Sequence, residues 1–570
     1  MKPVACLLGF APVFLGMIAL APSAEDPFES VEAFAWRPPE QPDQPYLPPP
    51  YPRRTSPPPS PEFLRVGSYQ SVQVNVDANG QNIVGDAANE PTIAVDPNDH
   101  NRIVIGWRQF DTINSNFRQA GWAYSHDHGR HWTFAGVIEP GVFRSDPVLD
   151  VDTDGNFYFD SLTSSGGSYW CHVFKSTDGG VTWHPGVYAY GGDKEWMIVD
   201  RTNSTGRNHI YSCWSPSYSS VPGTSFTRSI DRGASFQYPI AVTGNPYWGT
   251  MAVDREGALY LCGTIGSQFR VAKSTNARNP AVTPTWDFSV TVSLGGSLIY
   301  GGSPNPGGLM GQAWIATGPR PDGGGPDYVY LLCSVDPPGS DPLDVRFARS
   351  VDGGLTWSPS IRINDDPPET NAWQWFGTMS VAPNGRIDVI WNDTRDQPSY
   401  RWSRVYYSYS TDGGLTWSAN VPLTPAWDSL IGWPQQNKIG DYYHMRSDNV
   451  GADLAYAATF NGEQDVYYLR IGDYDCNNNG IGDSTDISSG ASSDLNGNSI
   501  PDECEGLGDL NCDESTNAFD IDPFVLALTD PDAYQNAYPG CRLSRADING
   551  DGQVNAFDID PFVTLLTWAD

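Results

Sequence analysis

The chain has 570 residues, 39% of them hydrophobic, which is more than one ordinary core accommodates and enough apolar material to exclude a wholly disordered protein. A formal net charge of −34 excludes a nucleic-acid binder, whose phosphate partners demand basic patches. The charge is uneven, since residues 473–570 hold 20 Asp and Glu against 2 Arg.

In chain order, residues 1–24, MKPVACLLGFAPVFLGMIALAPSA, join a lysine, an apolar stretch from Val4 to Ala21 and small residues before Glu25. That is the pattern of a cleaved signal peptide; Pro12 and the short length argue against a membrane anchor. The expectation is a secreted or cell-surface protein with no transmembrane segment after cleavage. Cys6 leaves with the signal, and the eight remaining cysteines are an even number compatible with disulfides. Residues 25–65 read as a proline-rich linker, with 12 prolines among the 25 residues 37–61, a composition that favours an extended polyproline spacer.

From 66 to 472 the pattern is all-β. Short alternating runs such as TIAVD, RIVIGW, NFYFDSL and RIDVIW are bounded by Gly, Asn, Asp and Pro, and no amphipathic helix interrupts them. First strands fall near Thr92, Val148, Met197, Met251, Trp314, Met379 and Met445. Each opens a unit with the pattern of a four-stranded meander, one blade of a β-propeller. Seven blades are expected, with six as the alternative, and a strand near 69–76, SYQSVQVN, is placed to complete the last blade and close the ring.

A repeated turn marks the units: SHDHGRHW (125–132), STDGGVTW (176–183), SIDRGASF (229–236), SVDGGLTW (350–357), STDGGLTW (410–417) and the worn STNARNPAVTPTW (274–286). Between third and fourth strands the Asp accepts backbone N–H bonds, Gly supplies a left-handed backbone angle and Trp buries its face. The turn is the Asp-box, and residues 66–472 resemble the sialidase-like BNR/Asp-box propellers, a group containing enzymes and non-enzymes.

If all these turns share one face, loops entering first strands and loops joining second to third strands share the other, where a site is expected. Those loops hold Glu90, Arg108, Asp111, Arg144, Asp146, Glu195, Tyr247, Trp248, Trp373, Trp375, Asp393, Arg395, Asp396, Asp441, Tyr442 and Arg446. Arginines suit an acidic sugar group, rings suit pyranose faces and carboxylates suit proton transfer. The sialidase resemblance implies a substrate carboxylate held by Arg108, Arg144 and Arg395, with Tyr442 as nucleophile, Glu195 as its activator and Asp111 as acid/base, and Trp248 and Trp375 as sugar platforms. The Arg-Ile-Pro element of that family is absent and its catalytic members have six blades. A non-catalytic propeller binding glycan or protein therefore stands beside an exo-sialidase-like glycoside hydrolase.

The spaced acids beyond 473 fall into the register of a twelve-residue calcium loop. DINGDGQVNAFD offers Asp547, Asn549, Asp551, Gln553, Asn555 and Asp558, with Gly552 at the sharp sixth position. DLNCDESTNAFD offers Asp509, Asn511, Asp513, Ser515, Asn517 and Asp520, with Glu514 in place of that glycine. Each precedes DPFVLALT or DPFVTLLT, where Asp can cap a helix and Pro fits its first turn. The duplication over 508–570 resembles a dockerin, which implies a cohesin-like partner. Between them and the propeller, 473–507 resembles thrombospondin-type calcium repeats through Asp475, Asn477, Asn479, Asp483 and Asp486, then Asp494, Asn496, Asn498, Asp502 and Glu505. Ca2+ is the expected cofactor. Cys476 with Cys504 and Cys512 with Cys541 are candidate staples.

Overall fold

The structure is a computed structural model that describes Tyr46, Arg54–Ser56, Ser60 and residues 63–568 except 369, 495–496, 513–515 and 539–540. The expected signal peptide, most of the proline-rich linker, and the expected calcium-loop positions Asn496, Asp513 and Ser515 lie outside the described residues, as does the side chain of Glu505.

Seven antiparallel sheets follow one another along the chain, so the protein is a seven-bladed β-propeller. The inner strands are Ala87–Val95, Ser145–Val151, Trp196–Val199, Met251–Val253, Trp314–Gly318, Gln374–Val381 and His444–Ser447, each containing the residue expected to mark it. Alternation of buried side chains drives the stacking. Inner and second strands present Val, Ile, Leu and aromatic residues to both neighbouring blades, and Val148, Tyr158, Leu259 and Tyr330 are fully buried in one such layer. Blade 3 has three strands, its fourth reduced to a bridge between Phe226 and Ile240.

Blade 7 is finished from the other end of the propeller. Tyr69–Gln73 pairs with the third strand, Ser71 opposite Leu469 and Gln73 opposite Tyr467, and the Tyr456 hydroxyl donates to Ser71 Oγ at 2.6 Å. Val74 N donates to Val466 O at 2.9 Å, extending the seam.

All six Asp-boxes make one turn. In the last, Asp412 Oδ1 accepts from Ser410 Oγ, Leu415 N and Thr416 N at 2.8, 2.8 and 2.9 Å, and Oδ2 accepts from Thr416 Oγ1 at 2.6 Å. The worn copy repeats this with Asn276, which accepts from Ser274 Oγ and Thr285 N at 3.1 and 2.9 Å. The glycine of the box has a second role, because its bare Cα faces the preceding blade. A Cβ on Gly414 would stand 2.4 Å from Phe347, one on Gly180 2.4 Å from Val104, and one on Gly233 3.2 Å from Tyr158. The turn is therefore a clasp between blades.

The tail forms a small helical unit. Asp483–Ser489, Asp502–Glu505, Ile521–Thr529, Pro531–Ala537 and Ile559–Trp568 are helical. Its duplicated halves meet where Phe524 stacks on Phe562 at 4.1 Å, above a core that includes Leu510, Tyr534 and Ile548. Both candidate disulfides are present, Cys476–Cys504 and Cys512–Cys541. The other four cysteines among the described residues, Cys171, Cys213, Cys262 and Cys333, are buried thiols of the propeller. Helix entry differs from expectation. Asn517 and Asn555, five residues earlier than the expected Asp522 and Asp560, close capping boxes with Asp520 and Asp558.

Candidate functional site

The face opposite the Asp-boxes gathers several expected residues at the axis and buries them. Glu90, Asp146, Lys194, Trp248 and Phe376 each hold a left-handed backbone, φ between +44° and +60°, in the first residues of the inner strand or just ahead of it in five blades. Such angles in non-glycine residues store strain of about 1–3 kcal/mol each, which surrounding structure must enforce. Three of them, Glu90, Asp146 and Lys194, meet in one buried charged network, while Trp248 and Phe376 pack in apolar clusters. Lys194 Nζ and Lys438 Nζ both stand 2.5 Å from Asp441 Oδ2, Lys194 lies 3.5 Å from Asp146, and Arg108 Nε lies 2.6 Å from Glu90. Two irregular segments lock over this network: Asn305 Nδ2 donates to Gly440 O at 2.9 Å, Leu309 N donates to Asp441 Oδ1 at 2.7 Å, and Asn89 Nδ2 donates to Lys438 O at 3.0 Å. Burial pushes the Glu90 carboxyl up to about 8 despite Arg108 and Lys438.

Tyr442 and Glu195 join the same buried group. Burial first, then the carboxylates of Glu90, Asp146 and Glu195, holds the Tyr442 phenol well above its ordinary value, and its hydroxyl donates to Pro147 O at 2.9 Å. Glu195 is likewise raised by burial and by Asp146 and Asp160. The remaining expected residues are dispersed. Asp111 accepts from Gln119 Nε2 at 2.8 Å, while Arg144 pairs with Glu139 and lies against His172. Arg395 binds Asp393 at 2.8 Å and Asp365 at 2.5 Å, and Trp248 packs on Tyr247. Arg108, Arg144 and Arg395 thus belong to blades 1, 2 and 6, each with its own carboxylate. Trp375 is fully buried against Phe376 and Trp427, so its ring belongs to the core and not to a sugar platform.

The open end of the axis is the Asp-box face, against expectation. A cavity of about 820 Å³ is bounded by the ends of all seven inner strands, from Val95 to Ser447. Its floor is aromatic: Trp196 and Trp314 meet edge to face at 5.1 Å, and His444 stacks on Trp314 at 5.6 Å. Its wall carries Arg201 and Arg446, which share Asp150 Oδ1 at 2.5 and 2.7 Å. Although burial alone would raise Asp150, the two guanidinium groups hold its carboxyl below the usual range. Burial and these same arginines keep His444 well below its ordinary value, hence neutral. Arg446 was expected on the other face; Asp150 and Arg201 carry no sequence signal beyond a strand end and the turn after one.

The tail completes the mouth. Asp475, Asn478, Asn479 and Gly480, from the first acidic loop, line the cavity. Asn478 Nδ2 donates to Pro97 O at 3.0 Å, Arg130 lies over Tyr474 at 4.4 Å, and Asn101 Nδ2 donates to Cys476 O at 3.2 Å. Three of the acidic loops share one turn. Asp475 accepts from the amides of Asn479 and Gly480 at 3.0 and 2.8 Å, Asp494 from Asn498 and Ser499 at 3.0 Å each, and Asp547 from Asp551 and Gly552 at 3.1 and 2.8 Å. These bonds curl each loop around its first carboxylate. The 509–520 loop differs, because Arg545 Nη1 pairs with Asp509 Oδ2 at 2.8 Å and supplies a competing positive charge.

Among the described residues five clusters could hold a metal ion: Glu90, Asp146 and Asp441; Asp160, Cys171 and Glu195; Asp86, Glu463 and Asp465; His128, Asp448 and Asp453; and Cys476, Asp483 and Cys504. No helix among those residues is long and apolar enough to cross a membrane.

The BNR/Asp-box repeat family matches residues 408–419. A sialidase of Clostridium perfringens is 28% identical over 146 residues, a match covering 23% of this chain and 37% of that protein. The chain thus spans little over a third of the curated relative's length. Similar solved structures include a protein of unknown function from Dyadobacter fermentans (14% identity, 70% of this chain and 97% of that one, TM-score 0.41). Others are a leech intramolecular trans-sialidase (10%, 60% and 68%, 0.37) and an ulvan lyase of polysaccharide lyase family PL25 (11%, 68% and 94%, 0.37).

Proposed function

We propose that this chain is an exported, calcium-binding, carbohydrate-directed propeller that takes an acidic glycan in the axial cavity on its Asp-box face. The observation carrying this reading is the pairing of two arginines on one carboxylate above an aromatic floor. Arg201 and Arg446 together bring more positive charge than Asp150 neutralises, leaving guanidinium N–H groups for a sugar carboxylate above the packed Trp196–Trp314–His444 floor. Calcium enters because the acidic loop beginning at Asp475 forms part of the cavity wall, so the ion orders the mouth. The 508–570 unit acts as a dockerin-like tether to a cohesin-like partner.

Binding of sialylated and uronic-acid oligosaccharides to the purified chain, followed by calorimetry with calcium present, tests the reading. Arg446→Ala is expected to weaken affinity about tenfold to a hundredfold, the worth of a charged hydrogen bond of about 1.5–3 kcal/mol. Equal affinity in wild type and variant, or no acidic glycan bound, would reject it. A sialidase-type hydrolase at the opposite end is the second reading, favoured by the raised Glu90 acid and the neighbouring Tyr442 and Glu195. Release of sialic acid from the same panel, abolished by Tyr442→Phe, would decide for it.

A further inference from the structure

Four of the five metal-competent clusters have their charges answered within the protein. Lys194, Lys438 and Arg108 neutralise the axial trio. Arg470 lies 3.2 Å from Asp453 and 2.7 Å from Asp448. Cys476 and Cys504 are consumed in a disulfide. Asn75, Asn82 and Gln109 donate to Asp465, Glu463 and Asp86. The fifth stands apart. Glu195 is 1% exposed, yet neither of its carboxyl oxygens has a hydrogen-bond partner beyond its own backbone N–H; Asp160 is fully buried, its Oδ2 accepting from Ser212 Oγ at 3.1 Å and its Oδ1 having no partner. Cys171 is fully buried and its Sγ lies 3.9 Å from its acceptor, Gly192 O. The three groups converge, with one ligand atom from each within 4.8 Å of the others.

We propose that Glu195, Asp160 and Cys171 form a site for a divalent ion of zinc type that staples blade 2 to blade 3. Asp160 and Cys171 lie on paired strands of blade 2, and Glu195 immediately precedes the inner strand of blade 3. Protonation alone does not satisfy Glu195, because a neutral carboxyl still presents an O–H that needs an acceptor and a carbonyl that needs a donor. A cation satisfies all three groups at once. Zinc bonds of about 2.0–2.3 Å set tetrahedral donors about 3.3–3.8 Å apart, a modest contraction of the present cluster. The sulfur donor selects zinc over calcium, which takes oxygen ligands alone. Binding deprotonates the thiol and whichever carboxyls hold protons, releasing those protons to solvent. Asp160, pushed up to about 7 by burial, together with Glu195 and Cys171, both also raised by burial, are the groups that would give them up.

The test uses the full chain in excess calcium, so that the oxygen-only tail loops are filled. After dialysis against zinc and then metal-free buffer, one tightly held equivalent is expected, and X-ray absorption at the zinc edge should show a single sulfur at about 2.3 Å. Cobalt loading should produce a thiolate-to-cobalt charge-transfer band that Cys171→Ser removes. Glu195→Gln should weaken metal affinity by at least about tenfold, the lower bound seen even for outer-shell partners. A wild-type chain with no retained zinc, a zinc shell without sulfur, or a cobalt band surviving in Cys171→Ser would overturn the proposal. The wild-type absorption spectrum decides even if a variant fails to fold.

Discussion

Replacing Gly414 by Ala isolates what the Asp-box glycine does for the ring. Gly414 has φ +80°, which costs an L-residue roughly 1–2 kcal/mol. Its new Cβ would also stand 2.4 and 2.5 Å from two ring atoms of Phe347, which is wedged against Trp417 at 5.1 Å and cannot swing away freely. Overpacking of this kind adds about 1–3 kcal/mol, giving a total of about 2–5 kcal/mol. Gly223 provides the internal control, because its φ is +81° and a Cβ there meets nothing within 4 Å. Gly223→Ala should lose only the backbone share, about 1–2 kcal/mol. Urea unfolding followed by tryptophan fluorescence gives both values, with an unchanged slope showing that stability alone has moved. If the two variants unfold within about 0.5 kcal/mol of each other, a margin of the size separating independent sites, the clasp between blades is refuted.

Acid should loosen the propeller through its turns. Against the upward push of burial, hydrogen bonds from His131 and Ser125 hold Asp127 down to about 2, and those from Thr416 and Ser410 do the same for Asp412. Carboxyls depressed in the folded state stabilise it above their ordinary value of 3.8 and lose that contribution as pH falls toward about 2. The unfolding midpoint should therefore drop across that window, with a shallower drop in the Asp127→Asn, Asp412→Asn double variant; an identical pH slope would count against it. Tyr456→Phe removes the hydroxyl bonded to Ser71 across the closing seam and should lower stability by about 1 kcal/mol, with faster amide exchange at Tyr467 and Leu469 as the diagnostic. Chelating calcium should expose residues 473–570 to proteolysis while the propeller resists; equal resistance with and without the ion would contradict calcium loops there.

The blades were readable because each inner strand alternates and each Asp-box repeats, so Met379 or Met445 could be assigned a strand from local pattern alone. The closing strand at 69–73 was readable for the same reason, since SYQSVQVN alternates and the last unit lacked a partner. The open end of the axis was not. It is decided by how the segments around Asn305 and Gly440 interlock, and irregular backbone carries no period that foretells its path. Trp375 shows the complementary difficulty: beside Trp373 in a loop-like run it looks like a sugar platform, yet the irregular pairing between Trp375 and Thr378 turns its ring into the core. Lys194 and Lys438, which neutralise the buried acids, are lone lysines in sequence and meet only because the ring closes.

That closure also sets how the molecule bears load. Because Tyr69–Gln73 runs antiparallel to Asp465–Gly472, the chain enters the ring beside the point where it leaves. A pull applied between residue 66 and residue 473 opens the two strands from one end and breaks their backbone bonds in succession, where a pull along the strands would have to break them together. A propeller anchored through both ends would yield at this seam first, opening like a zip at modest force while its blades stay folded.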